Sequence, residues 1–364
     1  MHMGTDESSS RNYRVGFVGA GGIAPEHADA LGLLSGVEIV SVCDLQEQRA
    51  RTLAEQYCIP HAYSSLKEML ERASLDVVHV LTQPQYHIAS ALECLGSGVN
   101  VYIEKPMGLS TNDCKLVAAE AAAHGRVVGM NHQLACHRLI DELVQAARDR
   151  RFGRINHVSV TYCVGFANLP TKEVNHYMFS TPQSLLFEYC PHPFSIIRRL
   201  LGKPKALTAL ASGQAQLENG KTYYQSWEIG AVADRGSAQL FFSAGRGNPE
   251  ITVWVYGQDA SAFADLNRGT LEFHENSPYP ISTKLRDGVR NAGRLFRQST
   301  GRYWDEHLVK LKLKPARITN PFYPPMSDFY RALRAGRPVG EDASAGHDVI
   351  AYCEMAAENM QTVG

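Results

Sequence analysis

Four groups of residues in this chain have types and spacings that chemistry can use. Lys105 stands in Glu104-Lys105-Pro106, directly after the apolar run Asn100-Val101-Tyr102-Ile103, where an amine can hold or move a proton. Glu188 and His192 lie four apart amid apolar neighbours and would share one helical face, although Pro191 and Pro193 argue against a regular helix. Near the start, Val15-Gly16-Phe17-Val18 breaks into Gly19-Ala20-Gly21-Gly22-Ile23-Ala24, which fits G-x-G-x-x-A. Gly19 permits a tight turn, Gly21 lets backbone N–H groups approach a pyrophosphate, and Ala24 lets a new helix pack closely on the strand. The helix N-terminus then faces an anion. The fourth group is Asp44, about twenty residues on at the end of Val37–Cys43, where a carboxylate hydrogen-bonds a ribose 2′-OH. That acid repels a 2′-phosphate, so NAD(H) is favoured over NADP(H), with Arg49 and Arg51 near enough to weaken the preference.

The elements that position these residues alternate along the first third of the chain. After the first strand and helix come a strand at Val37–Cys43, a helix over Gln46–Tyr57, a strand over Leu75–Leu81 and a helix over Tyr86–Leu95. A strand at Asn100–Ile103, a helix over Thr111–His124 closed by Gly125, and a strand at Arg126–Met130 follow. This rhythm predicts an α/β fold with a doubly wound parallel sheet, whose ligands sit beyond the carboxyl ends of the strands. Thr82-Gln83-Pro84-Gln85-Tyr86-His87 and Glu104-Lys105-Pro106 each follow such an end. For His87 itself, packing at a helix start is the favoured reading.

At 364 residues the chain suits two domains, and 44% hydrophobic and 20% charged residues with a net charge of −1 describe a globular protein without the basic excess that nucleic acid requires. The polar, Ser-rich residues 1–12 read as a disordered lead with no apolar signal region, and a cytoplasmic location is expected. Eight cysteines are scattered singly and read as reduced thiols. Fourteen histidines form no ligand motif, and no metal is implied.

The glycine turn, Asp44, the Thr82–Pro84–His87 loop and above all Glu104-Lys105-Pro106 resemble the glucose–fructose oxidoreductase / inositol dehydrogenase / rhizopine catabolism family. The resemblance covers nearly the whole chain and is strongest through residue 135. It implies a Rossmann domain over 13–135 in which Gly19, Gly21, Gly22, Ile23, Asp44, Thr82, Pro84, His87, Glu104 and Lys105 meet the cofactor. It also implies a second α+β domain over 136–364 with a large, mostly antiparallel sheet that packs on another subunit, giving a homodimer or homotetramer. Members usually show Asp-x-x-x-His where this chain has Glu188 and His192, the histidine acting as acid/base beside the lysine, so Glu188 is a departure.

Within the second half, Arg154–Val164, Ala206–Ser212, Tyr223–Val232, Ser237–Ser243 and Glu250–Tyr256 read as strands, with turns at Glu218-Asn219-Gly220 and Asp234-Arg235-Gly236. Over 281–317 ten basic residues face three acidic ones. Arg286, Arg290, Arg294 and Arg297 recur at helical spacing beside an apolar stripe of Leu285, Val289, Ala292 and Phe296. A solvated face of an inserted helix is the favoured reading of those arginines. The functional one has them handle negative charge, the diphosphate of a nucleotide-linked sugar or, less favoured, a lipid surface. Pro315–Pro325 is a link, and helices over 326–335 and 343–360 close the chain.

The function expected from all this is an NAD(H)-dependent oxidoreductase that interconverts a secondary hydroxyl and a ketone on a sugar, cyclitol or nucleotide sugar. His192 moves the hydroxyl proton, Lys105 stabilises the oxyanion and Glu104 orients the lysine. The alternatives are an NAD-dependent glycosidase or epimerase that recycles its cofactor, and a sugar- and NAD-sensing regulator.

Overall fold

The computed structural model describes residues 12–165, 177–217, 219–245 and 249–362. The chain divides into two compact units, the first comprising residues 1–108, 112–131 and 322–344, the second residues 109–111, 132–321 and 345–364. All but one residue of the lead expected over 1–12, and Glu218 of the expected turn, lie outside the described residues.

In the first unit, β1 (Tyr13–Val18), α1 (Ala24–Leu31), β2 (Val37–Cys43), α2 (Glu47–Tyr57), β3 (His61–Tyr63) and α3 (Leu66–Arg72) are followed by β4 (Val77–Val80), α4 (Pro84–Gly96), β5 (Asn100–Ile103), α5 (Thr111–Ala123) and β6 (Val128–Met130). The strands form one parallel sheet in the order β3-β2-β1-β4-β5-β6. The order reverses between β1 and β4, which is where ligands bind in such sheets. Val15, Phe17, Val42, Val77 and Tyr102 are buried, as parallel strands covered on both faces require.

The second unit opens with α6 (Arg138–Arg148), β7 (Ile155–Val164), α7 (Ser184–Tyr189) and α8 (Pro191–Leu201). Then come β8 (Pro204–Gln216), β9 (Thr222–Ala233), β10 (Gly236–Ala244), β11 (Glu250–Gly257), β12 (Ala260–Asp265), β13 (Thr270–Glu275) and the 31-residue α9 (Pro280–Lys310). The chain ends with α10 (Tyr323–Ala335), α11 (Ala343–Glu358) and β14 (Met360–Thr362). Eight strands form a mostly antiparallel sheet ordered β13-β12-β11-β7-β10-β9-β8-β14. Leu207, Ala209, Trp227, Leu240, Val253 and Val255 point to its buried face, while Leu210, Val232 and Tyr256 are exposed.

Two expectations need correcting. The segment 322–344, read as part of the second domain, belongs to the first unit: Met326, Phe329 and Tyr330 of α10 are buried in the core of the parallel sheet. Of the four arginines at helical spacing on α9, three are engaged within the chain and, among the described residues, only Arg297 is left exposed without an ion pair. Arg286 and Arg290 pair with Glu275 at 2.6 and 2.8 Å, Arg290 also with Asp287, and Arg294 with Glu142 at 2.6 Å. Among the described residues no helix is long and apolar enough to cross a membrane.

Candidate active site

Gly19 follows β1 at φ +100°, and a Cβ there would lie 2.7 Å from the carbonyl carbon of Leu81. No side chain fits where β1 and the end of β4 converge. At Gly21 and Gly22, by contrast, a Cβ would meet nothing within 4 Å, so the protein's own packing does not demand glycine there. Beside them runs a groove of about 510 Å³ lined by Gly21, Gly22, Pro25, Gln48, Arg49 and Thr52. Asp44, at the end of β2, is tied to this turn: one carboxylate oxygen accepts the N–H of Ala20 at 2.9 Å and the other that of Gln46 at 2.8 Å. Each oxygen keeps a further lone pair, enough to take a ribose hydroxyl. Arg51 is engaged by Glu47 at 2.6 Å. A bare-backbone cradle at a helix start with a carboxylate at its rim fits a dinucleotide.

Thr82 follows β4, and its hydroxyl is buried with no hydrogen-bond partner among the described residues. Pro84 takes the first turn of α4, where its missing N–H costs nothing. His87 is buried and bridges two loops, its ring nitrogens 2.8 Å from the Thr82 carbonyl and 2.7 Å from that of Pro106. Burial pushes its pKa below the ordinary value while the two carbonyls pull it back. It thus fastens the loop after β4 to the turn that carries Lys105.

That turn is held more firmly from the other side. Glu104 is buried, and its carboxylate accepts from the His27 ring at 2.6 Å, from the Asn131 side-chain amide, and from the backbone N–H of Lys105 at 3.1 Å. Burial alone would raise its pKa, but the bonds from His27 and Asn131 and the nearby Lys105 hold it down at about 2. Behind this first ring of partners, His27 and His79 face each other through Nδ1 at 2.9 Å, His79 reaches the Tyr330 hydroxyl at 2.9 Å, and Tyr102 donates to Asn131 at 3.2 Å. Burial, then His27, pushes the His79 pKa well down, so this ring is neutral and links Tyr330 to His27 through one donor and one acceptor. The Lys105–Pro106 peptide is cis.

The expectation for Glu104 therefore gains a physical form: it grips the Lys105 backbone. His27, His79, Asn131, Tyr102 and Tyr330 were not foreseen. The available signal was His79, a lone histidine inside the otherwise apolar strand Val77-Val78-His79-Val80.

Glu188 and His192 lie in the second unit, Lys105 in the first. The doubted helix is in fact two. Glu188 is the last residue but one of α7 and His192 the second of α8, with Cys190 between the helices still in right-handed helical conformation. Pro191 and Pro193 fall in the first turn of α8, where proline is tolerated. His192 is 8% exposed, its ring 6.0 Å from that of Tyr162, and Glu188 is half-buried. No group of three or more metal-ligating side chains occurs among the described residues.

Residues 13–132 match the model of an oxidoreductase family with an NAD-binding Rossmann fold. The chain is similar to 4-carboxy-2-hydroxymuconate-6-semialdehyde dehydrogenase of Sphingobium, 32% identical over 33% of this chain and 38% of the relative. It is also similar to trans-1,2-dihydrobenzene-1,2-diol dehydrogenase of Sus scrofa, 29% identical over 43% and 48%. The matched region thus spans less than half the length of these relatives. Among solved structures, the fold is similar to that of the WlbA dehydrogenase from Bordetella pertussis in complex with NADH and UDP-GlcNAcA, with TM-score 0.77 and 17% identity over 97% of this chain and 96% of that one. UDP-N-acetylglucosamine 3-dehydrogenase from Acidithiobacillus ferrooxidans gives TM-score 0.72 and 19% identity over 96% and 97%. Over residues 13–132, the stretch that carries the glycine turn, Asp44 and Lys105, the chain is thus similar to the NAD-binding Rossmann unit of that oxidoreductase family.

Proposed function

We propose that this protein is an NAD(H)-dependent oxidoreductase interconverting a secondary hydroxyl and a ketone on a sugar, cyclitol or nucleotide-sugar ring. One observation carries the reading: Lys105 stands at the carboxyl end of β5 on a backbone gripped by the buried Glu104 carboxylate. An amine so fixed on the sheet's ligand side can stabilise a developing oxyanion or relay its proton. The bound nicotinamide supplies the hydride chemistry. His192, from the second unit, takes or gives the hydroxyl proton, and Glu188 orients it or contacts a hydroxyl. Support for a sugar-like substrate comes from the diol, inositol and UDP-sugar dehydrogenases among the similar proteins.

The backbone cradle at Gly21 and Gly22 takes the pyrophosphate, and Asp44 the adenosine ribose. NAD(H) is preferred over NADP(H) because a carboxylate fixed by Ala20 and Gln46 cannot swing away from a 2′-phosphate. Leu210, Val232 and Tyr256, exposed on the large sheet, support association of two or four copies through that face.

The test is absorbance at 340 nm with NAD⁺ and a panel of cyclitols, sugars and nucleotide sugars. Lys105→Ala should keep NAD binding in a thermal-shift assay and lose most turnover; a rate equal to wild type refutes the assigned role.

A further inference from the structure

Helix α9 is mounted inside out. Its packed side is polar and covers β13, the edge strand of the large sheet. Asp287 accepts the Glu275 N–H at 2.8 Å, and Gln298 that of Leu271 at 3.0 Å. Asn291 both accepts from Phe273 N–H, at 3.3 Å, and donates to its carbonyl, at 2.9 Å. Side chains thus stand in for a missing neighbouring strand and blunt an edge that would otherwise pair with another chain.

The opposite side is apolar. Ile281, Leu285, Val289, Phe296, Tyr303 and Trp304 recur along one stripe and are 56% to 78% exposed. The helix is about 46 Å long, so this is a continuous apolar ridge rather than a scatter of single residues. Leu311 and Leu313 extend it past the helix end.

Charge decides what covers the ridge. The three acids of 281–317 are all engaged from within the chain: Asp287 by Arg290, Glu306 by Arg302, and Asp305 by Lys314. Among the described residues no carboxylate lies within bridging distance of the exposed cations Lys284, Arg297, Lys310, Lys312 and Arg317. An apolar ridge bordered by unanswered cations, with an indole and a phenol at one end, is complementary to a bilayer bearing negative headgroups. A second copy of the same face would set cation against cation with no free acid to answer it.

We propose that α9 and the segment after it dock this enzyme on an anionic lipid surface, the ridge entering the headgroup region and the five cations meeting lipid phosphates. The arginines that recur at helical spacing are mostly internal struts, while the lysines near the helix ends, with Arg297, do the electrostatic work.

The experiment is flotation of the full-length protein with vesicles of phosphatidylcholine alone and of phosphatidylcholine with phosphatidylglycerol, alongside sedimentation velocity without lipid. Binding is expected only to the anionic vesicles, weakening as salt rises. The double variant Val289→Glu/Phe296→Glu should abolish it with an unchanged far-UV circular dichroism spectrum. Lys310→Gln and Lys312→Gln should each weaken it about fivefold. Absence of binding at low salt, or equal binding to neutral vesicles, overturns the proposal. So does an oligomer that V289E/F296E dissociates in a protein that ignores vesicles, which would make the ridge a contact between copies.

Discussion

His27 and Glu104, 77 residues apart in sequence, meet at 2.6 Å with both side chains buried. The carboxylate gripping Lys105 thereby owes its charged state to a helix on another part of the sheet. Removing the imidazole leaves a buried carboxylate short of a donor, which costs about 2 kcal/mol. His27→Ala should lower the urea unfolding free energy of the first unit by that amount. It should also reduce kcat more than it changes NAD affinity, because the damage reaches Lys105 and not the glycine cradle. An unchanged midpoint and rate would show that Asn131 alone suffices.

The two kinds of glycine at the cofactor turn should separate cleanly. Gly19→Ala meets the Leu81 backbone and a positive φ, and should destabilise the protein by at least about 2 kcal/mol. Gly21→Ala meets open space, so stability should change by less than about 0.5 kcal/mol. NAD affinity should nonetheless fall about tenfold or more as the methyl intrudes between pyrophosphate and backbone. Calorimetric titration of both variants checks the contrast.

Stability should decline on mild acidification. The native pKa values of His79, His87 and His137 all lie below the ordinary 6.5, with burial the largest cause in each and His137 held at about 4. Below pH 6.5 the unfolded chain takes protons that the native one refuses, so native stability is full above that pH and is lost as pH falls. Each such histidine contributes a slope of up to about 1.4 kcal/mol per pH unit. Denaturant midpoints between pH 7 and pH 5 should follow this, and His79→Gln should remove one proton's worth of the slope.

His192→Asn should lower turnover by about two to four orders of magnitude. The pH–rate profile should lose the limb that reports its proton, while NAD binding is kept. Retention of that limb would assign the proton transfer elsewhere, with Glu188 the next residue to replace.

Cofactor choice should respond to Asp44. Asp44→Ser removes the negative charge while keeping a short acceptor near Ala20, and leaves Arg49 lining the adjoining groove. The ratio of NADP⁺ to NAD⁺ activity should rise about tenfold or more. A ratio unchanged within twofold would place the ribose elsewhere.

Much of the parallel sheet was legible because its strands are short, apolar and punctuated by glycine, and its turn and acid sit at a diagnostic separation. The buried relay was not, since His27, His79, Glu104 and Asn131 follow no period; only the packing of the first helix on the ordered sheet brings them side by side. Strands β12 and β13 were missed, although Ala260–Asp265 and Thr270–Glu275 pair in register. Strand β14 was not expected, only its first residue, Met360, having a place at the end of the last helix, because three residues carry no alternation. For α9, periodicity revealed two stripes but could not say which side faces inward. The burial of Asp287 and Asn291 against a strand edge reverses the usual rule that the apolar side is hidden.

Phe329 and Tyr330 come from α10, yet they fill the core around Tyr102 and His79, two hundred residues and more upstream. A ribosome making this protein must therefore release the chain through Ala335 before the nucleotide unit can set. Until then the emerging sheet keeps an apolar flank uncovered, and a fragment cut after residue 132 would inherit that flank permanently as a seed for aggregation.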